Sequence, residues 1–236
     1  MNNITIAIDG FSSTGKSTVA KRLAKALGYI YVDTGAMYRA VTLHAMRQGY
    51  IGDGFLRKKE LVEELKDLEI SFKFNPDQGF AEVYLQGENV EKAIRTLDVS
   101  SYVSQIATIS EVREQLVRQQ QELGRHKGVV MDGRDIGSVV FPEAELKIFM
   151  TASAETRAQR RHLELLERGE SVSYEDVLEN VKSRDYIDST RKDSPLKKTS
   201  DAIEIDNSHL SLEEQFQKLL ELSKIKIAQC QKVSDS

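Results

Sequence analysis

Ile4-Thr-Ile-Ala-Ile-Asp9, followed by Gly10-Phe-Ser-Ser-Thr-Gly15-Lys16-Ser17-Thr18, decides the fold. Residues 4–8 are apolar or β-branched without a break, too few for a helix, and read as a strand buried in a parallel sheet. The loop after them fits G-x-x-x-x-G-K-[ST]. Its glycines let the backbone curl until successive N–H groups face one concavity that holds phosphate oxygens. Val19, Leu23, Ala24 and Leu27 then share one face of a helix that Gly28 stops, and the positive end of that helix points at the same spot. Gly10, Phe11, Ser12, Ser13, Thr14, Gly15, Lys16, Ser17 and Thr18 are therefore the expected ATP-binding loop. Lys16 brings a cation to the β- and γ-phosphates, and Ser17 brings a hydroxyl to Mg²⁺.

The bulk numbers set bounds. The 236 residues suffice for one α/β domain with small inserted modules. A net charge of −4 gives no basic excess of the kind that binds a nucleic-acid polymer. The single cysteine, Cys230, can form neither an internal disulfide nor a metal cluster, which suits a reducing cytosol. The chain enters its first strand at once, so no signal peptide is expected, and no stretch reaches membrane-spanning length. A cytoplasmic protein without a membrane partner is expected, and the lack of a long apolar surface run suggests a monomer.

Tyr29-Ile-Tyr-Val32 reads as a second buried strand, running into Asp33-Thr-Gly-Ala-Met-Tyr-Arg39 and a helix to about Gln48. Polar groups leaving a strand end are where open α/β sheets bind ligands; a helix cap with a solvated arginine is the plainer alternative. Residues 49–98 change character. A charged helix over 58–68 is followed by two alternating runs, 69–74 and 81–85, around a turn at Asn75-Pro-Asp-Gln-Gly79. They predict an antiparallel hairpin inserted into the parallel fold. One long amphipathic helix is expected over 99–123, with Val103, Ile106, Ile109, Val112 and Leu116 as its stripe and Ser104 and Arg113 off it. Gly128-Val-Val-Met131 then delivers Asp132-Gly-Arg-Asp135, the strand-plus-acid arrangement that sets a carboxylate beside the metal of a phosphate-binding loop. Residues 153–194 form two helices around Arg168-Gly-Glu170, the second opening on a capping box at Ser173 and Asp176. Arg157, Arg160, Arg161, Arg168, Arg184 and Arg191 crowd this stretch. They read either as solvated helix faces or as a lid that brings guanidinium groups to a transferring phosphoryl. Strand 202–206 and a helix capped by Ser211 and Glu214 close the chain. The repeated β-loop-α order predicts a three-layer α/β/α fold with a parallel central sheet.

Taken together, Asp9-Gly10 with its loop, Asp33 to Arg39, Ile94-Arg-Thr96, Ser104-Gln105 with Val112-Arg113, and Asp132-Gly-Arg-Asp-Ile-Gly-Ser-Val-Val-Phe-Pro142 resemble the bacterial cytidylate kinase family. So do Arg184-Asp185, Asp188, Arg191, Ser194-Pro-Leu196 and Asp201-Ala202, nearly end to end and in order. The resemblance implies a nucleoside-monophosphate-kinase core over about 1–40, 99–153 and 193–236. It implies an acceptor-binding insert over about 41–98 and a helical lid over about 154–192. The implied reaction moves the γ-phosphoryl of ATP to CMP or dCMP, and more weakly to UMP. Arg39, Arg134 and Arg191 would hold the acceptor phosphate, and Arg191 would also meet the transferring group. Arg184 and Asp188 would face the ribose, Ser104, Arg113 and Asp135 would read the pyrimidine edge, and Thr34 and Tyr38 would line the acceptor site. Lys16, Arg134, Arg184 and Arg191 make the implied catalytic set, Arg160 joins the ATP contacts, and Ser17 and Asp132 take Mg²⁺ directly or through water. Phe11 stands where the family usually has proline, which leaves the loop's rigidity open. Thr34 replaces the serine of some members and keeps the hydroxyl. Many relatives have glycine at position 17, so the metal role of Ser17 is shared or dispensable. A thymidylate, adenylate or shikimate kinase, or a nucleotide switch without transfer, are the alternatives. The second anion site built on Arg39 and Arg134 speaks against the switch.

Overall fold

The computed structural model describes residues 3–76 and 80–234; positions 77–79 of the expected turn lie outside them. In chain order the elements are β1 (Thr5–Gly10), α1 (Lys16–Leu27), β2 (Ile30–Asp33), α2 (Thr34–Arg47), β3 (Ile51–Gly52), β4 (Phe55–Leu56) and α3 (Lys58–Glu64). Then come β5 (Ile70–Asn75), β6 (Phe80–Leu85), β7 (Glu88–Asn89), α4 (Leu97–Ile106), α5 (Ser110–Leu123) and β8 (Val129–Gly133). β9 (Leu146–Thr151), α6 (Ala154–Glu167), α7 (Tyr174–Thr190), β10 (Ile203–Asp206) and α8 (Leu212–Ser234) complete the chain.

Five parallel strands in the order β10-β9-β1-β8-β2 make the central sheet. β1 shows why both faces must be covered. Ile6 and Ile8 point into a cluster with Val19 and Leu23 of α1 and Leu219 of α8. Ala7 points the other way, to Val32, Met131 and Ile136, with Val117 of α5 packed on them. Alternate residues of one strand thus feed two helical layers, which makes the fold α/β/α. The register sets Ile8 and Asp33 on either side of Asp132, and Asp9 beside Gly133. Three acids therefore end at one edge, where the strand order reverses at β1 and the ligand crevice of such sheets forms.

Between α2 and α4 lie a β3–β4 ribbon and an antiparallel β5-β6-β7 sheet. Its Val83 and Leu85 share one buried cluster with residues of α2 and α4. The charged helix is shorter than expected: α3 ends at Glu64, and a 3₁₀ turn covers Leu65–Asp67.

The single helix expected over 99–123 is two. Its stripe is buried throughout, but α4 ends at Ile106, with Ala107 as its C-cap, and Ile109 is extended (ψ 113°). Thr108 turns its hydroxyl back to the Gln105 carbonyl (2.7 Å), a local bond that competes with helix. Opening the helix here frees the Ala107 carbonyl, which accepts from Arg113 (3.4 Å). Ser104 and Arg113 are buried as well. Among the described residues no helix is long and apolar enough to cross a membrane.

Candidate active site

The loop after β1 is shaped by its backbone. Gly15, at φ 83°, caps α1 without a side-chain bond, so the first N–H groups of α1 stay open to the crevice. Ser13 also takes a positive φ (58°). Phe11 is held in the loop by packing and by its carbonyl. Its ring meets Phe149 edge-on at 6.0 Å and lies 5.1 Å from the Arg157 guanidinium, while its carbonyl accepts from Thr14 (3.0 Å) and from Lys16. Ser17 donates to Asp132 (2.9 Å), whose other oxygen takes the Tyr31 hydroxyl (2.8 Å).

Loop and sheet edge open into a cavity of about 940 Å³. Residues 12–18 of the loop line one side, with Arg160 above them. Thr34, Tyr38, Arg39, Ser104, Arg113, Asp132, Arg134, Asp135, Arg184, Asp188 and Arg191 line the rest. Of the expected site residues only Gly10 and Phe11 do not border it. Gly10 is spent on the sheet, since a Cβ there would sit 2.0 Å from the Met150 carbonyl oxygen, and Phe11 faces Phe149.

On the far side the charges are arranged in a chain. Arg113 pairs with Asp135. Arg191 stands 3.9 Å from the other Asp135 oxygen and 4.0 Å from Asp188. Asp188 accepts from Arg134 (2.9 Å) and from Ser104 (3.0 Å). Asp135 is fixed by the turn behind it: both oxygens of Asp9 take backbone N–H groups, from Ile136 and Gly137 (2.8 Å each), at the start of the π-helical turn Ile136–Val140. Arg39 reaches the Ile94 carbonyl and the Ser100 hydroxyl (3.3 Å each), and Arg184 donates to Ser100 (3.0 Å). The Arg184 Nε is buried with no protein hydrogen-bond partner. Here the plain reading of Asp33 also holds: it caps α2 by accepting from Ala36 N–H (2.9 Å).

A family model described as cytidylate kinase matches residues 6–225. The chain belongs to the cytidylate kinase family. It is 67% identical over 222 residues to the cytidylate kinase of Flavobacterium johnsoniae, covering 94% of this chain and 96% of that one. It is 63% identical to that of Flavobacterium psychrophilum (94% and 98% covered) and 57% identical to that of Bacteroides fragilis (93% and 96% covered).

Electrostatics give this cytidylate kinase family member a cavity in need of anions. Burial depresses Arg39 well below its ordinary value, and Arg184, Arg161 and Arg95 add to the effect. Burial with Arg134 brings Arg184 down to about 10 and pushes Lys16 down too. Burial works against the charge of Asp188, but Arg134, Arg184 and Arg191 hold it below the usual carboxylate range. Guanidinium groups this close lose stability unless negative charge sits among them. The opposite holds at the sheet edge, where burial and the neighbouring Asp33 lift Asp132 to about 6. A divalent cation relieves that excess of negative charge. The donor set, one carboxylate and one hydroxyl beside the phosphate loop, fits Mg²⁺, which takes few protein oxygens and completes its shell with phosphate and water. Among the described residues no cluster of three or more acids, histidines or cysteines offers a richer metal cage.

Two residues at the site are not among those the sequence pointed to: Arg95, which lines the cavity, and Asn207, which bonds the phosphate loop from outside it. Arg95 pairs with Asp33 (3.0 Å) and Glu91 (2.6 Å). Its carbonyl accepts from both Arg161 (2.8 Å) and Arg168 (3.2 Å) of the α6 side. The stretch 94–96 stood out, but nothing local tells that its arginine crosses to β2. Asn207 is fully buried and ties the Thr14 carbonyl (2.6 Å), Gln215 (2.8 Å) and Arg160 (3.0 Å) together. One asparagine after an edge strand carries no signal in sequence.

Proposed function

We propose that the protein transfers the γ-phosphoryl of ATP to CMP or dCMP, and more weakly to UMP, giving ADP and CDP or dCDP. The observation that carries this is one continuous cavity bordered both by Lys16 and the phosphate loop and by the Arg134–Asp188–Arg191–Asp135 chain. Two anions held there face each other across the sheet edge.

The loop N–H groups and the open N-terminus of α1 bind the β- and γ-phosphates, and Lys16 neutralises them. Arg39, Arg134 and Arg191 grip the acceptor phosphate, which is already anionic and needs no general base. As the bond to the leaving oxygen lengthens, charge spreads over the transferring group, and fixed guanidinium groups offset it without reorganising. Mg²⁺, held by Asp132 and Ser17 when bound, supplies further charge neutralisation at the phosphates. Asp135, with one oxygen held by Arg113, turns its other oxygen to the exocyclic amine of cytosine. Ser104 and Arg113 border the same pocket. UMP differs at one polar group, so discrimination is graded rather than absolute.

The test measures ADP production from Mg·ATP with each nucleoside monophosphate in turn, and with shikimate. Signal confined to CMP and dCMP, with a weaker one for UMP, is expected; slow ADP release indifferent to the acceptor overturns the reading. Asp135→Asn is expected to lower kcat/KM for CMP about 10–100-fold and to leave the KM for ATP within about twofold. Equal losses for donor and acceptor would assign Asp135 a scaffold role.

A further inference from the structure

Arg157 of α6 stands where three segments meet. Its Nε donates to the Ala152 carbonyl (2.9 Å), just beyond the end of β9. One terminal nitrogen donates to the Ser12 carbonyl in the phosphate loop (3.3 Å), and its guanidinium lies over the Phe11 ring. Both terminal nitrogens grip the carboxylate of Asp185 on α7 (2.9 and 2.6 Å). The residue is 4% exposed and does not border the cavity. Asp185 does not border it either, yet its chain neighbour Arg184, and Asp188 and Arg191 beyond, all do. One guanidinium therefore joins the backbone of the donor loop to the helix that presents Arg184 and Asp188 to the acceptor side and runs directly into Arg191.

We infer that the Arg157–Asp185 pair is a positioning device that couples the donor and acceptor sites. The inference rests on the donor and acceptor assignment proposed above. A two-pronged guanidinium–carboxylate pair fixes orientation as well as distance. Separating it would leave an uncompensated charge in a site shielded from water. The loop and α7 consequently move as one. Phosphates seated on the loop fix the Ser12 carbonyl and the Phe11 ring, hence Arg157, hence the register of α7 and the aim of Arg184, Asp188 and Arg191. Neither partner borders the cavity, so their contribution is a coupling between sites rather than affinity at either.

The test is calorimetric titration of the full chain with CMP, alone and in the presence of a saturating β,γ-imido analogue of ATP. In the wild type the analogue is expected to tighten CMP binding about fivefold or more. Asp185→Asn keeps the shape of the side chain and removes its charge. It is expected to bring that ratio below about two, with CMP alone and the analogue alone each bound within about twofold of wild type. Arg157→Lys keeps the charge, loses the fork, and is expected to lose the ratio too. A ratio retained in Asp185→Asn overturns the inference. So does a wild-type ratio of one, or a loss in which both single affinities and the thermal midpoint fall together, which marks ordinary scaffolding. A wild type that binds no CMP at all overturns the proposed function and this inference with it, whereas intact wild-type coupling that survives in the variants overturns the inference alone.

Discussion

Asp9 stands at the end of β1 with both carboxylate oxygens committed to backbone N–H groups of Ile136 and Gly137. Those bonds aim the turn that carries Arg134 and Asp135, so a residue at the sheet centre sets the side of the cavity proposed to take the acceptor. Burial dominates its titration and, with Asp135 nearby, lifts it from 3.8 to about 6. Between those two values the folded state holds the proton more tightly than the unfolded chain does. Stability from this group therefore falls as pH rises through that window, and the buried charge weighs fully above it, by up to about 3 kcal/mol. Asp9→Asn has nothing to titrate there. The stability gap between wild type and Asp9→Asn, read by urea unfolding at pH 4.5, 5.5 and 7, is expected to narrow with rising pH; a constant gap would show that the carboxyl is ionised throughout.

At the scale of the element, β1 shows what is legible in sequence and what is not. Its uninterrupted apolar run and the glycine-rich loop follow from local rules, and Ser17 meets Asp132 because a strand, a loop and a second strand are each readable on their own. The break between α4 and α5 is not readable. The apolar stripe keeps its period straight through it, and the contacts that use it are distant: Arg113 bonds the freed Ala107 carbonyl and then Asp135. Arg95 and Arg157 are hidden for the same reason, since their partners lie on other elements. The two-residue strands β3, β4 and β7 are too short for any alternation to appear. Gly10 gives this scale its prediction. Its φ is 145° and a Cβ would collide with the Met150 carbonyl, whereas a Cβ on Gly15 would meet only Gln215 at 3.9 Å. Gly10→Ala is expected to part β1 from β9 and cost about 3 kcal/mol or more, on the order of 10 °C in thermal midpoint. Gly15→Ala carries backbone strain alone, about 1–2 kcal/mol. Calorimetric melting of both variants checks the order; Gly15→Ala being the more damaging would refute it.

Across the whole molecule, charge is divided unevenly. The chain carries a net −4, yet Lys16, Arg39, Arg134, Arg184 and Arg191 all border one cavity. An anionic nucleotide approaches a negative body and enters a positive hollow. The exposed part of that attraction is screened by salt and the buried part is not. Raising ionic strength from 20 to 300 mM is therefore expected to lower kcat/KM for CMP severalfold, with kcat changing less than twofold. Steady-state kinetics across that range decides it, and a kcat that falls in parallel with kcat/KM would place the salt-sensitive charges at the chemical step.

The hold of Arg161 and Arg168 on the Arg95 carbonyl has a consequence for how such an enzyme can diverge. Arg161 and Arg168 both donate to the main-chain oxygen of residue 95, which every amino acid possesses. No substitution at 95 deletes that acceptor. Mutation can erase the clasp only through its donors, one arginine at a time. The tightness of this clasp is thus a heritable variable with two settings to turn, both encoded on the same helical arm, while the surface it grips is inherited unchanged.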